Sequence, residues 1–169
     1  MDEQTDDKGI VVGVDGSAAS VAALRWAARQ ARALDVPVVA VHAWEPAAEP
    51  APYAPASARL SVAERRERAA EALAGTVSAA FGPQAGPGVR AVLAEGPAAR
   101  VLLRQAQGAV LLALGRRAHG RWELPAVGAV GRECLRHARV PVVTVPVTEG
   151  SVPRPRMAGT PALTGSGAT

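Results

Sequence analysis

Short β-branched apolar runs alternate along this chain with longer stretches in which apolar residues recur every three or four positions. The runs predict strands buried on both faces, and the longer stretches predict amphipathic helices. Ile10-Val11-Val12-Gly13-Val14 is the first strand, and Asp15-Gly16-Ser17 makes the turn into a helix with Val21, Leu24, Ala28 and Ala31 inward and Arg25, Arg29 and Arg32 outward. A second strand runs from Val38 to Ala43 after Pro37. Ser61-Val62-Ala63-Glu64 is a capping box opening a helix to Phe81, with Leu73, Val77 and Phe81 four apart and Glu64 set to pair with Arg68. The third strand is Val89–Ala94. Pro97 then starts a helix burying Leu102, Leu103 and Ala106, Ala109–Leu114 is the fourth strand, Gly128–Ala138 the last helix, and Val140–Val145 the fifth strand.

Five strands alternating with four helices specify an α/β fold: a doubly wound five-stranded parallel sheet with helices on both faces. Ligands of such sheets sit beyond the carboxyl ends of the strands, where the strand order reverses. The ends of the first, second and fourth strands are therefore the candidates.

Residues 1–8 read as a flexible acidic leader, 9–147 as the domain, and 148–169, rich in Gly, Pro, Ser and Thr, as a disordered tail. Pro46, Pro50, Pro52 and Pro55 make 45–58 a long irregular loop, of a length that is often functional or mobile.

With 169 residues, 49% of them hydrophobic, the chain suits one domain with a substantial core. Its net charge of +4 is spread as arginines over several helices, and aromatics are 3%, too few for a base-stacking surface; nucleic acid is not an expected partner. The polar leader and the absence of a long apolar run argue against a signal peptide or a membrane span. The single cysteine, Cys134, excludes an intrachain disulfide and reads as a buried structural thiol, which fits a reducing cytoplasm. Arginine displaces lysine throughout, which hints at a high-GC bacterial genome.

The residues that could carry chemistry are few. Gly13-Val14-Asp15-Gly16-Ser17 has neither the lysine of a Walker loop nor the three-glycine spacing of a dinucleotide fingerprint. Asp15 stands at the ligand end of the sheet and suits a ribose hydroxyl or a metal through water; equally, Asp15 and Ser17 suit closing the turn and capping the helix. Gly115-Arg116-Arg117-Ala118-His119-Gly120 follows the fourth strand, and Gly128 opens the last helix. There Gly115 lets a ligand approach the backbone, Arg117 supplies charge for a phosphate, and the N–H groups of Gly128, Ala129 and Val130 face along the helix dipole. His42, His119 and His137 share no ligand spacing, and no nucleophile is marked out. His137 sits where it would meet the helix dipole or solvent.

In this order, IVVGVDGS, AALRWAARQA, GPAARVLL, ALGRRAHG and LRHARVPVVTVP resemble the universal stress protein family from Ile10 to about Pro146. The resemblance implies an adenine nucleotide alpha hydrolase-like sheet, a stress-response role without catalysis, and ATP, ADP or AMP as a regulatory ligand, with Mg only if ATP binds. The family's nucleotide loop has the form GxxG, nine residues, then Gly followed by Ser or Thr. Here Gly115, Ala118, the nine residues His119 to Val127, and Gly128-Ala129 occupy it, so half of the four positions depart. By resemblance Val14, Asp15 and Val41 would meet ribose and adenine, Leu114 and Gly115 would line the nucleoside, and Arg117, Ala118, Gly128, Ala129 and Val130 would face the phosphates. Ala118 costs at most about 1 kcal/mol in backbone freedom. Ala129 forfeits a hydroxyl bond worth about 0.5–1.5 kcal/mol. Together they weaken ATP by ~10- to 100-fold while leaving a backbone-based anion site. The resemblance also implies a homodimer through Val140–Val145, since so apolar an edge strand should not stay bare. The alternative is a nucleotide-free interaction module that recruits a protein partner under stress; slow ATP hydrolysis would need a metal and a positioned water that only Asp15 could help organise.

Overall fold

The computed structural model describes residues 9–46, 60–83, 88–117 and 127–147. The leader, the tail, Ala118 and the 45–58 loop apart from Glu45 and Pro46 lie outside them. In chain order the elements are β1 (Ile10–Gly13), α1 (Ala18–Leu34), β2 (Val38–Trp44), α2 (Val62–Phe81), β3 (Val89–Glu95), α3 (Ala98–Gln105), β4 (Leu111–Arg116), α4 (Ala129–His137) and β5 (Val142–Pro146).

The five strands form one parallel sheet in the order β3-β2-β1-β4-β5. The chain winds outward from β1 to β3, then returns to β4 on the other side of β1. The reversal therefore falls between β1 and β4, where Gly13 lies opposite both Val41 and Leu114. Helices α1 and α2 cover one face over Ile10, Val12, Val38, Ala40 and Ala113; α3 and α4 cover the other over Val11, Val39, Val41, Leu112 and Leu114. Adjacent strand residues thus feed opposite cores, which is why the central strands are apolar without alternation.

Both serine caps form as the sequence predicts. Ser17 Oγ accepts the backbone N–H of Ser20 at the start of α1, and at the start of α2 Ser61 and Glu64 make the reciprocal capping box. The Glu64 carboxylate is held below its ordinary pKa first by the Ser61 backbone and hydroxyl bonds, with the Arg68 charge a lesser influence.

The structure corrects several boundaries and parts of two helix faces. Strand β4 begins at Leu111 rather than Ala109, because the Ala109 N–H turns back to the Ala106 carbonyl through Gly108, whose φ is 77°. It runs on to Arg116, paired with Pro146. Strand β5 starts at Val142, since Pro141 has no N–H and contributes only its carbonyl, to Leu112 N. The buried stripe of α1 is Ala23, Leu24, Ala27 and Ala31, with Val21 and Ala28 only half-buried. In α3 Val101 takes the inward place expected of Leu103.

The small residues of α1 have a physical reason: its first turn lies directly against β4. A methyl group at Gly115 would collide with the Ala19 carbonyl group and the Ser20 backbone nitrogen. Gly115 is thus required by helix-on-strand packing, a role that ligand access alone did not suggest.

Candidate functional site

Beyond the carboxyl ends of β1, β2 and β4 lies a cavity of about 500 Å³, of a size suited to a small organic ligand. Of the residues singled out from sequence, Val14, Asp15, Val41, Leu114, Gly115, Arg117, Gly128, Ala129 and Val130 all line it. Ala118 lies outside the described residues. Its floor is apolar, with Val14, Val41, Leu102 and Leu114 almost wholly buried.

The rim is polar. Asp15 follows β1 and accepts the backbone N–H of Ser17 at 3.0 Å and the Ser17 hydroxyl, so the same loop that caps α1 also orients the carboxylate. The two readings of Asp15 are therefore compatible: one oxygen closes the turn, and the other, Oδ2, lies 4.0 Å from Arg117 Nη2 across the mouth. Burial pushes the Asp15 pKa up, but the Ser17 side-chain and backbone hydrogen bonds, the Ser20 hydroxyl and the Arg117 charge outweigh it and hold the carboxyl below its ordinary value. Asp15 is an anion at neutral pH.

The wall opposite is the start of α4. Gly128 is its N-cap, in extended conformation with φ −60° and ψ 172°, and as a glycine it offers no side chain to cap the helix. The backbone N–H groups of the first turn, Ala129 to Gly131, precede the first intrahelical bond from Arg132 N to Gly128 O. Gly128 needs no left-handed backbone, and a methyl group there would meet nothing within 4 Å. Gly131 serves packing instead, since a methyl there would collide with Val127.

Three polar side chains of the lining were not singled out from sequence: His42, Ser20 and Arg132. His42 stands beside Val41 at the end of β2, and its Nδ1 lies 2.7 Å from the Val14 carbonyl. A carbonyl only accepts, so Nδ1 carries the proton in this bond and fixes the ring. Ser20 bonds the Ser17 carbonyl at 2.8 Å. Arg132, one turn into α4, donates from Nη1 to the Val127 carbonyl at 2.8 Å. Its spacing of four from Gly128 was the available signal, because residues four apart share a helix face.

Cys134 is fully buried on α4, and its thiol is pushed up by burial and secondarily by Glu133. It faces the core. His137 lies 3.3 Å from Glu133 on the exposed side of the same helix. Among the described residues no three His, Cys, Asp or Glu side chains gather as a metal-ligand set, and no helix is long and apolar enough to cross a membrane.

The fold and this crevice define a doubly wound α/β domain with a ligand cavity at its switch point. The sequence matches the universal stress protein family over residues 8–146, and the chain belongs to that family. It is 32% identical over 170 residues to a universal stress protein of Mycobacterium tuberculosis, covering 98% of this chain and 56% of that protein. The chain thus spans about half the length of that relative. Among solved structures, a universal stress protein family member from Burkholderia pseudomallei is 27% identical with a TM-score of 0.58, over 84% of this chain and 98% of that one. The Archaeoglobus fulgidus universal stress protein in complex with dAMP is 25% identical with a TM-score of 0.56, over 81% and 96% respectively.

Proposed function

We propose that this domain binds an adenine nucleotide, ATP, ADP or AMP, weakly and as a regulatory ligand in a cytoplasmic stress response. The observation that carries the proposal is the uncapped start of α4. In α1 and α2 a serine at the N-cap takes one of the first N–H groups, whereas α3 opens on Pro97 and α4 on Gly128 without a side-chain cap of that residue, and α4 presents Gly128 to Arg132 to the cavity at the switch point. An anion there would gain free N–H donors and the positive end of the helix dipole. The apolar floor of Val41 and Leu114 suits a base, and the Asp15 carboxylate, acceptor-only when ionised, suits ribose hydroxyls. That a family relative of known structure holds dAMP supports the same ligand class.

Ala129 places a methyl group where a hydroxyl would bond a phosphate, which weakens binding without removing the backbone donors. If ATP is the ligand, Mg would accompany it mainly through the phosphates, since Asp15 is the one carboxylate among the described lining residues. The Ser17 hydroxyl that donates to Asp15 also caps α1, which suits a structural role for the pair, and the ligand is read as a signal rather than a substrate. Strand β5 lies at a sheet edge, which supports a homodimer formed by pairing this strand with its twin.

Calorimetric titration with ATP, ADP and AMP tests the proposal. Saturable heat with one site per chain is expected. Absence of heat at millimolar ligand would overturn it and favour a nucleotide-free interaction module that recruits a protein partner.

A further inference from the structure

Among the described residues the cavity carries arginine charge at two places, Arg117 in the loop after β4 and Arg132 on α4. Arg117 stands near Asp15 on the β1–β4 side, where the carboxylate at 4.0 Å partly offsets its charge. Arg132 lines the same cavity from α4, one turn beyond the glycine that opens the helix. Its Nη1 is tied to the Val127 carbonyl at 2.8 Å, which leaves Nη2 and Nε of the planar guanidinium with donor capacity. The Val127 side chain in turn lies against Gly131, so the carbonyl that holds the arginine belongs to a residue in contact with α4. This tether reduces the entropy that a long side chain loses on engaging a ligand.

We infer that Arg132 is a specificity-determining residue of this site: it supplies the charge-assisted bond to the ligand's phosphates that Ala129 cannot, and makes affinity depend on phosphate charge. The inference rests on the nucleotide reading above. The chemistry favours it, because a guanidinium bond to a phosphate exceeds the neutral hydroxyl bond lost at position 129. Nearness to the α4 start places Arg132 among the groups that would meet phosphates, and Asp15, on the β1 side, among those that would meet the sugar.

The experiment compares adenosine, AMP, ADP and ATP by calorimetry against the natural chain, Arg132→Gln and Arg132→Lys, with thermal melting of each variant as a check of folding. In the natural chain affinity should rise from adenosine to the phosphorylated ligands. Arg132→Gln should lose about tenfold for its best phosphorylated ligand and leave adenosine unchanged. Arg132→Lys should recover part of the loss, since it keeps the charge but not the planar fork. Equal losses for adenosine and nucleotides would show that Arg132 merely holds the Val127 segment, and unchanged affinities in a folded Arg132→Gln would show that it touches no phosphate. Either result overturns the inference while leaving nucleotide binding in place. No binding of any of the four ligands to the natural chain would instead overturn the reading on which it rests.

Discussion

Gly115 and Gly128 match the same family loop, yet the structure assigns them opposite physical roles, and substituting each separates those roles. At Gly115 a methyl group would run into the Ala19 carbonyl group and the Ser20 nitrogen, all backbone atoms that cannot rotate away. Helix α1 would have to shift off β4, breaking the approach on which the buried Ala19, Ser20 and Ala23 depend. Overpacking of this kind costs about 1–3 kcal/mol, and a rigid obstacle puts Gly115→Ala near the upper end. At about 2–4 °C per kcal/mol for a domain of this size, that is a drop of roughly 6–12 °C in Tm. Gly128→Ser, by contrast, adds its side chain to open space at an N-cap with φ −60°, where serine is as good a cap as glycine or better by a few tenths of a kcal/mol. Its Tm should hold or rise slightly, while nucleotide affinity falls because the new side chain occupies the approach to the helix start and bonds a donor meant for the ligand. Thermal melting followed by circular dichroism, with calorimetry on the folded variants, reads both effects. A Gly115→Ala protein melting within about 1 °C of the parent would refute the packing account of Gly115.

Ala129→Ser should restore a hydroxyl at the first helical position and tighten ATP by about three- to tenfold in calorimetry, with adenosine unchanged. Asp15 has a folded-state pKa below its unfolded value, so its charged interactions stabilise the fold fully above the ordinary carboxylate range and are lost as pH falls through the lower folded value. The Tm advantage of the natural chain over Asp15→Asn should therefore be constant from about pH 6 to 8 and shrink below about pH 4; an advantage that grows on acidification would contradict this. Arg25 bonds the Ala79 and Ala80 carbonyls at the end of α2, at 2.6 and 3.2 Å. Arg25→Met should lower stability to urea by about 0.5–1.5 kcal/mol.

Much of the fold was legible because each element carried its own signal. The β-branched run at Ile10, the capping box at Ser61 and Pro97 before α3 each mark an element without reference to the rest. The strand ends were less legible: whether Ala109 closes a turn or starts β4 depends on the positive φ of Gly108, and apolar content does not report it. The α1 face was legible in part: Leu24 and Ala31 are buried as expected, while Ala23 and Ala27 are buried more fully than Val21 and Ala28, because the close approach to β4 favours alanine along that side. A cavity does lie beyond the ends of β1, β2 and β4, where the general rule for doubly wound sheets puts it, although the alternation of elements does not itself fix the strand order. His42 and Arg132 were missed for a spatial reason. A residue in the last part of β2 and one in the second turn of α4 reach the same cavity only once the sheet order is fixed.

The measurement that bears most directly on the central claim is a crystal structure of this protein grown with a saturating concentration of AMP. The account predicts density for one nucleotide between the ends of β1 and β4, its base over Val41 and Leu114, its ribose at Asp15 and its phosphate at the Gly128–Val130 backbone. A nucleotide bound elsewhere, or this cavity empty at saturation, would contradict it.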